Sequence, residues 1–244
     1  MDFDLFLMIC NYIGTIAFAA SGAIKGFGKR LDIFGISLLA IVTAVGGGIL
    51  RDSIISRFPS SLADPSPIYV SILVAVIMYV FVTSKQANAS QDKKFYKWLR
   101  EAYLIFDSIG LIIFSLIGAT ALADSKLNLM SAGILACLTG AGGGIIRDLL
   151  INEVPSVLKE DIYALLSFVI GVIYYWLAFV LHFPRITAFI LLSIVGFVIR
   201  LCIIKFKLSL PNMDKKTWNW LMVGKFNHSI DKYFINYKFN QASN

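Results

Sequence analysis

The chain has 244 residues, of which 58% are hydrophobic and 15% charged, with a net charge of +7 and a mean hydropathy of +0.77. A soluble domain of this length has no way to hide that much apolar surface. Several apolar runs exceed the roughly 18 residues that span a bilayer, so the composition points to a polytopic helical membrane protein.

Seven spans are predicted, at about 4–24, 33–55, 66–84, 102–122, 129–151, 162–182 and 185–205. The start, Met1-Asp2-Phe3-Asp4, has no basic n-region, and no removable signal peptide is expected. Lys25, Lys29 and Arg30 follow the first span. Lys85, Lys93, Lys94, Lys97 and Arg100 follow the third, Lys159 the fifth, and many lysines lie beyond Lys205. The alternate connections carry little beyond Arg57, Lys126 and Arg185. The positive-inside rule then places the N-terminus outside and the C-terminus in the cytoplasm. This bias also accounts for the net charge, so no nucleic-acid partner is expected. The polar run Ser84–Lys94 marks a seam between two halves. The tail is basic and aromatic, with Lys215, Lys216, Trp218, Trp220, Lys232 and Tyr233. It reads either as a segment lying on the anionic inner leaflet or as a solvated tail.

An internal repeat organises the spans. From about Ile9 to Ser60, residue i matches residue i+96 without a gap. Gly14, Phe18, Gly22-Ala23, Leu31, Leu39-Ala40, Thr43 and Pro59-Ser60 recur as Gly110, Phe114, Gly118-Ala119, Leu127, Leu135-Ala136, Thr139 and Pro155-Ser156. Each half has three spans, an odd number, so the second is inserted upside down. The expected organisation is a first three-helix repeat (4–84), a cytoplasmic linker (85–100), an inverted second repeat (101–182), a seventh packing helix (185–205) and the tail (206–244). The fold class is all-α membrane protein.

The repeat carries one motif twice: Gly46-Gly47-Gly48-Ile49-Leu50-Arg51-Asp52 and Gly142-Gly143-Gly144-Ile145-Ile146-Arg147-Asp148. Three glycines inside an apolar span invite a helix break, tolerated at bilayer depth only beside protein or a water-filled cavity. The competing reading is close helix packing through small residues. Arg51, Asp52, Arg147 and Asp148 are expensive in a membrane and mark a site or cavity by default; the alternative is that spans two and five end earlier and leave Arg-Asp at the water interface. Adjacent helix residues do not face each other, so Arg51 and Asp52 need not be each other's partner. With the triplets at the midplane, Arg147 and Arg51 lie about 6 Å to either side. Asp107 then shares the depth of Arg147 and is its predicted partner. The repeat counterpart of Asp107 is Asn11, which carries no charge, so Arg51 is expected to be less compensated and to face the path. Thr43, Thr139 and Ser21 are candidate hydroxyls on that path, with back-bonding to the preceding turn as the alternative for the threonines.

Cys10, Cys137 and Cys202 fall inside spans and read as small apolar residues. His182 and His228 join no cluster, so no metal or cofactor is expected. No nucleophile elbow, P-loop or dinucleotide fingerprint is present, and an enzyme is not expected.

Asn11–Ala23 and Thr43–Asp52 resemble the first half of the prokaryotic trimeric intracellular cation (TRIC) channel family, also labelled a glycine transporter domain (UPF0126-type). Asp107-Ser108-Ile109-Gly110-Leu111 and Gly142–Asp148 are similar to its second half. The resemblance covers about residues 4–205. It implies a homotrimer in which each protomer has its own pore, lined by glycine-broken second and fifth helices, that conducts monovalent cations, chiefly potassium. A secondary transporter of a small solute such as glycine is the alternative function.

Overall fold

The computed structural model describes residues 2–88, 93–121, 128–159, 162–206 and 208, and these residues form helices and turns without a strand. In chain order the helices are α1 (Phe3–Gly28), α2 (Ile33–Ile54), α3 (Ser60–Ala63), α4 (Ser66–Asn88), α5 (Lys93–Thr120), α6 (Leu129–Leu150), α7 (Ser156–Lys159), α8 (Ile162–Tyr175) and α9 (Arg185–Phe206). A π turn, Trp176–Val180, extends α8. Seven of these helices, α8 with its π turn among them, are long and apolar enough to cross a membrane. The basic tail expected at 206–244 lies outside the described residues, apart from positions 206 and 208.

The offset of 96 residues holds at one helix boundary after another. Helices α2 and α6 start at 33 and 129, α3 and α7 at 60 and 156, α4 and α8 at 66 and 162. Cap positions repeat even where cap residues differ. Asp32 accepts from the Gly35 amide at 2.7 Å and Asn128 from the Ser131 amide at 3.0 Å, each satisfying an orphan donor of the first turn. Past the helix ends, Ser56 and Asn152 both take left-handed backbone, at φ 56° and 54°. The seam is shorter than expected: α4 runs to Asn88 and α5 begins at Lys93, so most of the span 85–100 is helical.

Helices α1, α2, α5 and α6 form the centre, with α1 on α5 and α2 on α6. Both contacts are reciprocal, as a two-fold requires. The Phe18 and Phe114 rings stack with centroids 5.4 Å apart. A Cβ on Gly14 would meet the Phe114 ring at 2.9 Å, and one on Gly110 would run into the Phe18 ring. At the second crossing, a Cβ on Gly47 would strike the Thr139 carbonyl oxygen, and one on Gly143 the Thr43 carbonyl oxygen. These contacts are backbone to backbone.

The glycine triplets therefore do something other than break their helices. Helices α2 and α6 run unbroken through Gly46-Gly47-Gly48 and Gly142-Gly143-Gly144. An intact ladder keeps every backbone group bonded at membrane depth, while the missing side chains let the two helices touch. Helix α4 covers α1 and α2; α8 covers α5 and α6; α9 packs on α5 and α8. Apolar residues of α5, α6, α8 and α9, including Ile112, Leu116, Ile170, Tyr174, Phe189 and Leu192, share one core with Phe6 and Cys10 of α1.

Candidate functional site: two faces of unequal filling

Because the repeat is inverted, the C-terminal ends of α2 and α6 emerge on opposite faces. Arg51 of α2 lines a cavity together with Asn11 from the first half of α1. Asp148 of α6 meets Lys25, near the other end of α1. These are called the first and second faces.

On the first face, a cavity of about 160 Å³ is lined by Asn11, Thr15, Gly48, Arg51, Ser61 and Asp64, with the Phe114 ring also on its wall. Arg51 Nη2 sits 2.7 Å from Asp52 Oδ1, and Nε donates to the same oxygen at 2.8 Å. Asp52 Oδ2 accepts from the amide and the hydroxyl of Ser60 at 2.8 and 2.9 Å, which fixes the start of α3. Asp64, outside the spans, accepts from the Ser66 amide and hydroxyl, which hold its carboxyl below the usual range. The Ser61 hydroxyl is buried and makes no protein hydrogen bond.

The second face repeats the frame with different filling. Arg147 Nε donates to Asp148 Oδ1 at 2.9 Å, and Asp148 Oδ2 accepts from the amide and hydroxyl of Ser156 at 2.8 and 3.0 Å. Added to that frame is a second carboxylate: Arg147 Nη1 donates to Asp107 Oδ1 at 2.7 Å. Nη1 also reaches Ser21 Oγ at 3.4 Å, and Nη2 donates to the Tyr103 hydroxyl at 3.0 Å. Tyr163 donates to Asp107 Oδ2 at 3.0 Å. Arg147 is fully buried, yet each of its nitrogens has a partner, which is what makes a guanidinium tolerable there. Outward of this network, Lys25 Nζ bridges Asp148 at 3.2 Å and Glu153 at 2.9 Å, and Lys29 meets Glu153 at 2.8 Å. Lys29 first, then Lys25, holds the Glu153 carboxyl below its usual range. A wide groove of about 900 Å³ opens beside them, lined by Lys25, Lys29, Arg30, Arg100, Tyr103 and Glu153.

Several expectations are thereby settled. Asp107 and Arg147 pair, as their depth predicted. Arg51 faces a cavity but is compensated by its neighbour Asp52, because the long arginine side chain folds back along its own helix. The adjacent Arg-Asp residues are ion pairs in both repeats, so the pairing left open by the helix-face rule is made. Thr43 and Thr139 do not offer their protons to a path. Both are buried and donate to the Leu39 and Leu135 carbonyls at 2.6 Å. Gly46, Gly47, Gly142 and Gly143 face the opposite helix, while Gly48 faces open space and a Cβ on Gly144 would lie 3.5 Å from Arg147 and Tyr163 atoms. Ser21 donates to the Phe18 carbonyl and accepts from Arg147. Three residues of this network, Tyr103, Tyr163 and Glu153, were not singled out from sequence, and Lys25 entered there only as an orientation charge. A tyrosine in an apolar span looks like any other core aromatic.

The family model described as "Glycine transporter" matches the chain twice, over residues 8–85 and 104–178. The UPF0126 inner membrane protein YadS of Escherichia coli (strain K12) is 32% identical over 202 residues, 82% of this chain and 93% of that protein. A crystal structure of a prokaryotic TRIC channel in 0.5 M KCl superposes with a TM-score of 0.74 at 32% identity, covering 84% of this chain and 99% of that one. A second structure, described as the structural basis for conductance through TRIC cation channels, gives a TM-score of 0.72 at 31% identity over 88% of this chain and 98% of that one. The chain is a multi-pass membrane protein that belongs to the UPF0126, or glycine transporter, family, the family of the prokaryotic TRIC channels.

Proposed function

We propose that the chain is a channel for monovalent cations, chiefly potassium, with one path through each protomer. The observation that carries this reading is the first-face cavity. It gathers the polar residues Asn11, Thr15 and Ser61, with Asp64 from outside the spans, on one cavity of a membrane-spanning bundle whose fold matches TRIC channels. Because Asp52 offsets Arg51, the uncompensated charge beside the opening is the Asp64 carboxylate, which favours cations. The path continues beside the glycine crossing, past the stacked Phe18 and Phe114 rings, to the Arg147 network and the basic groove. The protein assembles as a homotrimer in the inner membrane. The lysine-rich second face is cytoplasmic and the N-terminus lies outside, following the Lys/Arg bias. Purified protein in planar bilayers tests this: unitary potassium currents are expected. Saturable glycine uptake without unitary current would overturn it in favour of a transporter.

A further inference from the structure

The two half-paths differ most at one pair of equivalent positions. Pro67 lines the first-face cavity. Its counterpart at the offset of 96 residues is Tyr163, one residue into α8 as Pro67 is one residue into α4. Thr15 and Asn11 of the same cavity correspond to Leu111 and Asp107. The glycines show what this exchange does to space. A Cβ on Gly48 would meet nothing within 4 Å, whereas one on the equivalent Gly144 would lie 3.5 Å from the Tyr163 hydroxyl oxygen. The volume open on the first face is filled on the second by the Tyr163 side chain together with the Arg147 guanidinium, whose Nη2 would also lie 3.5 Å from that Cβ.

Tyr163 is held from two sides. Its hydroxyl donates to Asp107 at 3.0 Å, and the Arg200 guanidinium of α9 lies 4.6 Å from its ring centroid. Arg200 stands six residues before the end of α9, about 9 Å from that end at the helical rise, within reach of water by snorkelling. It is instead 1% exposed and turned into the bundle. Gly196, one turn earlier, lets α9 approach closely enough, since a Cβ there would meet Ile170 at 2.5 Å and Ile112 at 3.2 Å. A cation over the ring face is attracted by the ring quadrupole and strengthens the hydroxyl as a donor to Asp107.

We propose that Tyr163 is the stopper of the second half-path and that Arg200 is the residue positioning it. This rests on the channel reading and makes α9 a latch on the path, more than a packing helix. The test uses Tyr163→Phe, Arg200→Met, Arg200→Lys and the double variant Tyr163→Phe/Arg200→Met in single-channel recordings. A lost hydrogen bond to an ionised carboxylate shifts a two-state equilibrium by roughly tenfold. Tyr163→Phe and Arg200→Met are each expected to raise open probability by about that factor, the double variant by no more than either, and Arg200→Lys to restore most of the closure. Wild-type open probability in Tyr163→Phe, or effects that multiply in the double variant, would overturn the proposal. A readout that needs no current separates it from the channel reading. In a background lacking Cys10, Cys137 and Cys202, a Ser21→Cys thiol beside Arg147 should resist a membrane-impermeant thiol reagent. With Arg200→Met, and independently with Tyr163→Phe, it should become reactive from the second face. Equal reactivity with and without these changes refutes the stopper.

Discussion

A single methyl group added at either of two glycines of the internal repeat should have opposite effects. Gly143→Ala places a Cβ against the Thr43 carbonyl oxygen, with the Thr43 carbonyl carbon at 3.0 Å and Cα at 3.4 Å. All three are backbone atoms of α2, so nothing can swing aside and the two helices must separate. Overpacking costs about 1–3 kcal/mol, and a rigid backbone neighbour puts this site at the upper end. The better helix propensity of alanine returns about 1 kcal/mol. The net loss is about 2 kcal/mol, roughly a thirtyfold shift toward the unfolded state. Gly48→Ala meets nothing within 4 Å and keeps only the propensity gain, so it should be neutral or stabilising. Unfolding of the purified protein in mixed micelles, titrated with denaturing detergent, measures both on one scale. If Gly48→Ala and Gly143→Ala destabilised equally, or if both stabilised, the packing account of the triplets would be wrong and a helix break would regain ground.

Ser60→Ala and Ser156→Ala each remove one hydroxyl bond to the carboxylate of the Arg-Asp pair, so each should lose about 1.5–3 kcal/mol in the same titration, with the two values matching. Glu153 has a carboxyl held low by Lys29 and Lys25, so its contribution is present above its unfolded value and lost as pH falls through the folded one. Stability should therefore hold from pH 7 to about pH 5 and decline in the acid range below, and Glu153→Gln should flatten that decline. Asp64→Asn should lower unitary potassium conductance in dilute salt and have little effect near 1 M, where the Debye length shrinks to about 3 Å. A conductance drop that persisted at high salt would point to direct coordination instead.

Much of this architecture is visible in the residues. The offset of 96 residues predicted equivalent helices, and the odd number of spans per half predicted their inversion, because both follow from counting. The Asp107–Arg147 pair followed from depth alone, since a buried guanidinium needs an anion at its own level. What sequence could not supply was direction. Gly143 and Gly48 look alike in a triplet, and only the crossing angle decides which one touches a backbone and which faces a cavity. The folding back of Arg51 onto Asp52 depends on rotamers, which neighbour rules for helix faces ignore. Tyr163 and Arg200 escaped notice for a related reason. Tyr163 matters because its counterpart in the first repeat is Pro67, and the identities that reveal a repeat draw attention away from its mismatches; Arg200 stands on α9, which the repeat does not include.

The central claim is that this bundle conducts monovalent cations, and potassium flux measures that directly. Purified protein in potassium-loaded liposomes, diluted into potassium-free buffer with a proton carrier to balance charge, should release potassium faster than empty liposomes. The Tyr163→Phe variant should release it faster still. Release no faster than from empty liposomes, from protein that is folded and unfolds cooperatively in the detergent titration, would contradict the account.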